Sequence, residues 1–212
     1  MNRSLLIGQG LALEQASSLA NSIGMDCLRL ELSTPDRYNF DLDPVFKNYP
    51  AAEFEVFVAL DERAVNYARH KLIAQIRLAG YRLFNIVSAN AAVDNGVRLM
   101  GNVYIGPGCN LASGSVVGPG CWLDRQVLLG YGARLGACVT LLAGVQIGRG
   151  TEIGKGTTLG EGSGTPPQSK VGHHCEWLLP ETVPAELPAC SFHDSLIPRG
   201  ARILNGNSGL FK

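Results

Sequence analysis

Between Leu99 and Leu159 an aliphatic residue returns at every sixth position without a miss: Leu99, Ile105, Leu111, Val117, Leu123, Leu129, Leu135, Leu141, Ile147, Ile153 and Leu159. Two before each slot stands a small or β-branched residue, as in Val103, Cys109, Ser115, Cys121 and Val127. Glycine follows the slot directly at 106, 118, 130, 136, 148, 154 and 160, and recurs three after it at 108, 114, 120, 132, 144, 150, 156 and 162. A fixed hexapeptide period is the signature of a parallel β-helix, in which very short strands turn alternate side chains inward. Glycine supplies the backbone angles of the tight corners. Three hexads close one triangular coil, so the run stacks more than three coils. A flexible Gly-rich linker is excluded, because such linkers carry no strict aliphatic period.

Charge narrows the partners. Lys plus Arg equals Asp plus Glu at 18 each, which leaves no basic footprint for nucleic acid or an anionic membrane. The longest apolar runs fall far short of a membrane span. The short run Leu5-Leu6-Ile7 ends in Gly8-Gln9-Gly10 and is read as lacking the apolar region and cleavage site of a signal peptide. Six cysteines show no CxxC spacing, and Cys109 and Cys121 fill small inward slots. A reduced, cytoplasmic chain is the expectation.

Ahead of the repeat, strand-like and helix-like segments alternate. Residues 3–7 read as a buried strand and 11–23 as a helix with Leu13, Ala16, Leu19, Ala20 and Ile23 on one face, stopped by Gly24. Residues 27–32 read as a strand, 33–52 as a loop, and 55–60 as a third strand. Asp61 suits the N-cap of a helix running to about Ala79, closed by Gly80, and 81–87 reads as a fourth strand. This alternation implies a small Rossmann-like α/β domain with a mostly parallel sheet over residues 1–86. The β-helix then occupies 87–179, and 180–212 is an irregular C-terminal tail. A parallel sheet binds ligands beyond the carboxyl ends of its strands, which points to Gly8, Gln9 and Gly10 and to the region from Glu31 to Asp36. The repeat falters at Thr165 and resumes at Val171-Gly172.

A regular prism has chemistry where its rule breaks. The hexad Leu123-Asp124-Arg125-Gln126 lacks both corner glycines and sets a carboxylate, a guanidinium and an amide on one outward corner. His173 and His174 form another corner, after Val171-Gly172, and histidine is the side chain suited to general-base work near neutral pH. No three protein ligands stand at metal-binding spacing, so no metal is expected.

A small α/β domain running straight into a hexapeptide β-helix resembles the NeuD/PglD-type sugar O- and N-acetyltransferases. The likeness covers residues 3–179 and is strongest from Val97-Arg98-Leu99-Met100 through the repeat. It implies a left-handed β-helix and a homotrimer. It also implies acetyl-CoA, or another acyl-CoA, lying between adjacent β-helices along corner glycines such as Gly144, Gly148 and Gly154. The sugar or nucleotide-sugar of a bacterial glycan pathway would be held by the first domain. Placed without gaps, the family's acid–His–acid triplet falls on Asp124-Arg125-Gln126, and its second functional histidine falls on Arg134. A guanidinium cannot serve as base. Two readings stay open. In one, the chain is an acyltransferase with Asp124, His173 or His174 as base. In the other, it is a non-catalytic relative that binds a sugar nucleotide or CoA or scaffolds a partner, with Arg125 and Arg134 holding an anionic group; Gln126 is a substrate-binding candidate beside them. A zinc hydratase of the γ-carbonic-anhydrase type shares the β-helix but needs three histidines, and residues 99–159 hold none.

Overall fold

The computed structural model describes residues 3–36 and 38–203. Its first part is a four-stranded parallel sheet in the order β2-β1-β3-β4, with β1 at Arg3–Gly8, β2 at Cys27–Glu31, β3 at Phe54–Ala59 and β4 at Arg82–Leu83. The central strands alternate faces as a two-residue period requires. Leu5, Ile7, Val56 and Val58 pack under helix α3 (Tyr67–Leu78), while Leu6, Phe57 and Ala59 pack under helix α1 (Gly10–Ser22). Strand order reverses between β1 and β3, and there the strands approach very closely. A Cβ on Gly8 would lie 1.8 Å from the Ala59 carbonyl oxygen, so only glycine fits at the end of β1.

Several expectations shift. The expected loop over 33–52 contains a short helix α2 (Asp43–Asn48), begun by the Asp43-Pro44 pair. Proline there reads as a loop breaker, yet it also suits a first helical turn. Asp61 does not cap α3. Its carboxylate binds Arg63 instead, and Ala64, Val65 and Asn66 turn left-handed at φ +54°, +54° and +59° before α3 begins. The expected fourth strand splits in two. Arg82–Leu83 closes the first sheet, and Ile86–Val87 already belongs to the β-helix.

The second part stacks two-residue strands on three faces. The first face runs from Ile86–Val87 through Tyr104–Ile105, Trp122–Leu123, Thr140–Leu141 and Thr158–Leu159 to Glu176–Trp177 and Ser191–His193. The second holds five strands from Ala92–Val93 to Gly164–Thr165, and the third six from Arg98–Leu99 to Glu186–Leu187. Partners are parallel and 18 residues apart, as in Leu123↔Leu141 (141 − 123) and Leu129↔Ile147 (147 − 129). The aliphatic slots and the small slots before them fill the interior of the prism. Each buried aliphatic contributes about 1.5–3 kcal/mol relative to exposure.

Thr165 does not interrupt the stack. It is buried in an aliphatic slot, and its hydroxyl accepts the Gly148 N–H at 3.0 Å. The segment expected as an irregular tail makes one more coil, with Glu186–Leu187 on the third face and Ser191–His193 on the first. Its register is 16 residues (187 − 171), two fewer than elsewhere, which is why the sequence period disappears there. Ala201–Arg202 then pairs antiparallel with Ser191–Phe192. Residues 204–212 of that tail lie outside the described residues.

The two parts share a junction. Tyr104 and Trp122 point outward from the first face, stack at 3.9 Å and 6°, and join the cluster under α1. On the other side Asn66 and Arg69 bind the prism, with Asn66 Nδ2 donating to Thr158 Oγ1 at 3.0 Å and Arg69 Nη2 to Thr140 Oγ1 at 2.5 Å.

Candidate active site

Where the reversal point of the sheet meets the prism, a cleft of about 380 Å³ opens. Its lining comes from α1 (Leu11, Ala12, Gln15), from the segment after β3 (Leu60, Asp61, Glu62), from Arg69 of α3, and from the prism (Trp122, Asp124, Leu142, Glu161). Asp124 and Leu142 follow paired strands of the first face, and Glu161 lies one coil further along the same edge. Four carboxylate-bearing residues and one arginine thus line the cleft.

Local structure holds each group. Gly106 lies one coil below Asp124, where an added Cβ would come within 2.9 Å of the Asp124 carbonyl carbon and the Arg125 nitrogen. That glycine lets the irregular corner seat. The Arg125 backbone N–H donates to Asp124 Oδ1 at 2.7 Å, while Arg125 Nε stays 3.9 Å away and its side chain is exposed. Gln126 completes the corner in a left-handed conformation at φ +59°. Burial, reinforced by the Asp124 charge, pushes the Tyr104 phenol up to about 12, so it keeps its proton beside Asp124. Burial alone would raise the Asp61 carboxyl, but side-chain and backbone hydrogen bonds from Arg63 outweigh it and hold Asp61 below the usual carboxylate value. Arg69 is 1% exposed and donates to the Leu60 carbonyl at 3.0 Å, to Asn66 and to Thr140. Its Nε–H has no partner among the described residues.

Of the residues singled out in the sequence as site candidates, Asp124 alone lines this cleft. Gln9 Oε1 accepts from Arg63 Nη1 at 3.1 Å, and neither residue lines the cleft. Gly8 is explained by its approach to Ala59, and Gly10 opens α1 at φ +58°. Glu31 and Asp36 do not line the cleft. His173 and His174 sit on a different edge, after the third face, where His174 meets the backbone of Val65 and Gly156. Burial and the neighbouring His173, Lys155 and His70 lower the His174 pKa, against an opposing hydrogen bond involving Val65. Arg134 lies on the third face in a shallow groove with Glu152, Lys170 and Gly154.

Gly144, Gly148 and Gly154 fall on three different edges of the prism, and coil geometry accounts for each. Gly144 has φ +71°, while a Cβ on Gly148 or Gly154 would lie 2.6 or 2.4 Å from the backbone of the next coil. Sequence reasoning missed Asp61, Glu62, Arg69, Trp122 and Glu161. A signal existed for Glu161, which stands two 18-residue turns after Arg125 (161 − 125) on the same corner. Arg69 carried none, since a mid-helix arginine reads as surface. Among the described residues, no group of three or more His, Cys, Asp or Glu is placed to hold a metal, and no helix is long and apolar enough to cross a membrane.

No protein-family model matches the chain. No curated protein matches it by sequence either. Solved structures do match in shape. A His-to-Ala mutant of GDP-perosamine N-acetyltransferase from Caulobacter crescentus, in complex with CoA and GDP-perosamine, aligns at TM-score 0.79 and 22% identity over 91% of this chain and 93% of its own. The acetyltransferase domain of PglB from Neisseria gonorrhoeae aligns at TM-score 0.65 and 18% identity, over 90% and 96%. WeeI from Acinetobacter baumannii aligns at TM-score 0.59 and 16% identity, over 91% and 96%. The likeness spans both parts of the chain and nearly all of each neighbour. The chain therefore has the fold of these proteins, a small parallel α/β unit followed by a left-handed β-helix.

Proposed function

We propose that the chain transfers an acyl group, most simply acetyl, from acyl-CoA to an amino or hydroxyl group of a sugar or nucleotide-sugar. The observation that carries this reading is the cleft. It places Asp124, the residue that breaks the hexapeptide rule, against the ends of α1 and β3, where a parallel sheet receives ligands. The fold neighbours crystallised with CoA, and one with GDP-perosamine as well, support the same reading.

In the proposed step Asp124 takes a proton from the acceptor, and the freed lone pair attacks the thioester carbonyl. The carbon–sulfur bond breaks and the CoA thiolate leaves, to be protonated to the thiol. Holding acceptor and thioester together contributes alongside proton abstraction. Arg134 and Lys170, in the groove of the third face, suit the phosphates of CoA. A homotrimer would cover the apolar Leu128 and Tyr131, which are 43% and 68% exposed on or beside the second face.

Calorimetry with acetyl-CoA is expected to show micromolar binding, and a thiol-release assay with acceptors to show turnover. Light scattering is expected to give three times the 22.6-kDa mass of the chain. Absence of heat with acyl-CoA and with free CoA would sink the reading. Arg125, standing exposed at the corner, favours the second reading of a binding relative, which predicts a ligand-binding heat without turnover for any acceptor.

A further inference from the structure

Acidic residues outnumber basic ones along the cleft. Asp61, Glu62, Asp124 and Glu161 line it together with one arginine, Arg69, and Arg125 Nε stands 3.9 Å from Asp124 at the corner. Arg63 already matches Asp61, whereas Glu62 and Glu161 make no ion pair among the described residues. A small cleft with surplus negative charge focuses a field that attracts cations and opposes phosphates. The nearby strand-to-helix turn does not reverse this. Arg63, the cation beside Gly8–Gly10, is committed to Asp61 through Nε and Nη2 and to Gln9 through Nη1.

Arg69 supplies an independent observation. Its side chain is 1% exposed and lines the same cleft, and its terminal nitrogens donate only to uncharged acceptors. Nε is the one guanidinium nitrogen of Arg69 that makes no hydrogen bond among the described residues. A buried donor left open is costly, and a hydroxyl or ring oxygen of a ligand satisfies it without adding the negative charge that the carboxylates oppose.

Building on the acyl-transfer reading, we propose that the acceptor is a free amino sugar, or an amino-polyol of that size, bearing no phosphate or nucleotide. Its ammonium faces Glu62 and Glu161, and one of its oxygens accepts from Arg69 Nε. The ammonium gives one proton to Asp124, the amine attacks the thioester, and the amide forms as the carbon–sulfur bond breaks. The second nitrogen proton ends on the CoA sulfur, and the proton held by Asp124 passes to solvent.

The test compares free amino sugars with the amine at C2, C3 or C4, the parent hexose, glucosamine 6-phosphate and a UDP-linked amino sugar. Each is titrated by calorimetry and assayed for thiol release with acetyl-CoA. At least one free amino sugar is expected to bind tenfold or more tighter than the hexose and the phosphorylated forms, and to give the highest kcat/KM. Glu161→Gln, an exposed and foldable change, is expected to weaken that amine tenfold while leaving the weak hexose heat unchanged. Equal or better turnover of the UDP-linked sugar overturns the proposal and leaves acyl transfer standing. Binding of none of the free amino sugars also overturns it. Amine binding without any acetyl-CoA heat upholds the cleft assignment and overturns the transfer reading.

Discussion

Asp124 accepts a backbone N–H from Arg125 and stands near the protonated Tyr104 phenol, in a corner that Gly106 leaves room to form. As the proposed base, its replacement should remove proton abstraction and leave positioning intact. Asp124→Asn is expected to lower kcat by about 10²–10⁴-fold with little change in KM for acyl-CoA, measured by thiol release. Full turnover in that variant would exclude Asp124 as base. His173→Ala and His174→Ala, on another edge of the prism, are expected to leave kcat within a few-fold of the parent. Asp124 was legible in the sequence because it breaks a period. Arg69 and Glu62 were not, because their meeting with Asp124 depends on how two separately folded patterns dock.

At the scale of elements, the corner glycines separate into two physical kinds that the sequence writes with one letter. Gly154 has no left-handed requirement but lies under the next coil, where a Cβ would come 2.4 Å from the His173 nitrogen. Gly132 has φ +67° and open space around the Cβ position. Gly154→Ala is expected to cost about 3 kcal/mol, since backbone presses on backbone and neither can yield. Gly132→Ala is expected to cost about 1 kcal/mol, the left-handed penalty alone. Denaturant unfolding of the two variants decides between these origins, and equal losses would refute the distinction. The same contrast explains what the period could and could not reveal. Aliphatic slots at six-residue spacing reveal the prism without ambiguity. The final coil escapes because its register shortens to 16 residues, and Thr165 escapes because hydrogen bonds from Gly148 substitute for an apolar side chain.

Beside the aromatic stack of Tyr104 and Trp122, docking of the α/β unit on the prism uses buried polar groups that no periodicity encodes. One contact is titratable. His174 packs at Val65 beside His173, His70 and Lys155, and burial lowers the pKa of both His174 and His70. A base held below its unfolded pKa lends stability fully present above the usual imidazole value of 6.5 and lost as pH falls through the folded value. Acid is therefore expected to loosen this edge below about pH 6.5, and His174→Gln to flatten that part of the stability–pH curve. The other contact is Asn102, 1% exposed, whose side chain does the work of a missing strand. Its Nδ2 donates to the Val58 carbonyl at 2.9 Å, and its Oδ1 accepts the Val58 N–H at 2.6 Å, just beyond the short β4. Asn102→Ala leaves both backbone groups buried and open, at about 1–3 kcal/mol each, so a loss of about 2–6 kcal/mol is expected in denaturant unfolding. Asn102→Asp tests the donor separately. An ionised Asp accepts the Val58 N–H but sets a second oxygen against the Val58 carbonyl, so its pKa must rise in the folded state. A raised carboxyl contributes stability that is present below its unfolded pKa and lost as pH rises through the folded one. Asn102→Asp should therefore approach the parent's stability in acid and fall away from it toward neutral pH. A gap that stays constant with pH would show that Asn102 acts by shape and backbone conformation rather than by closing the edge of the sheet.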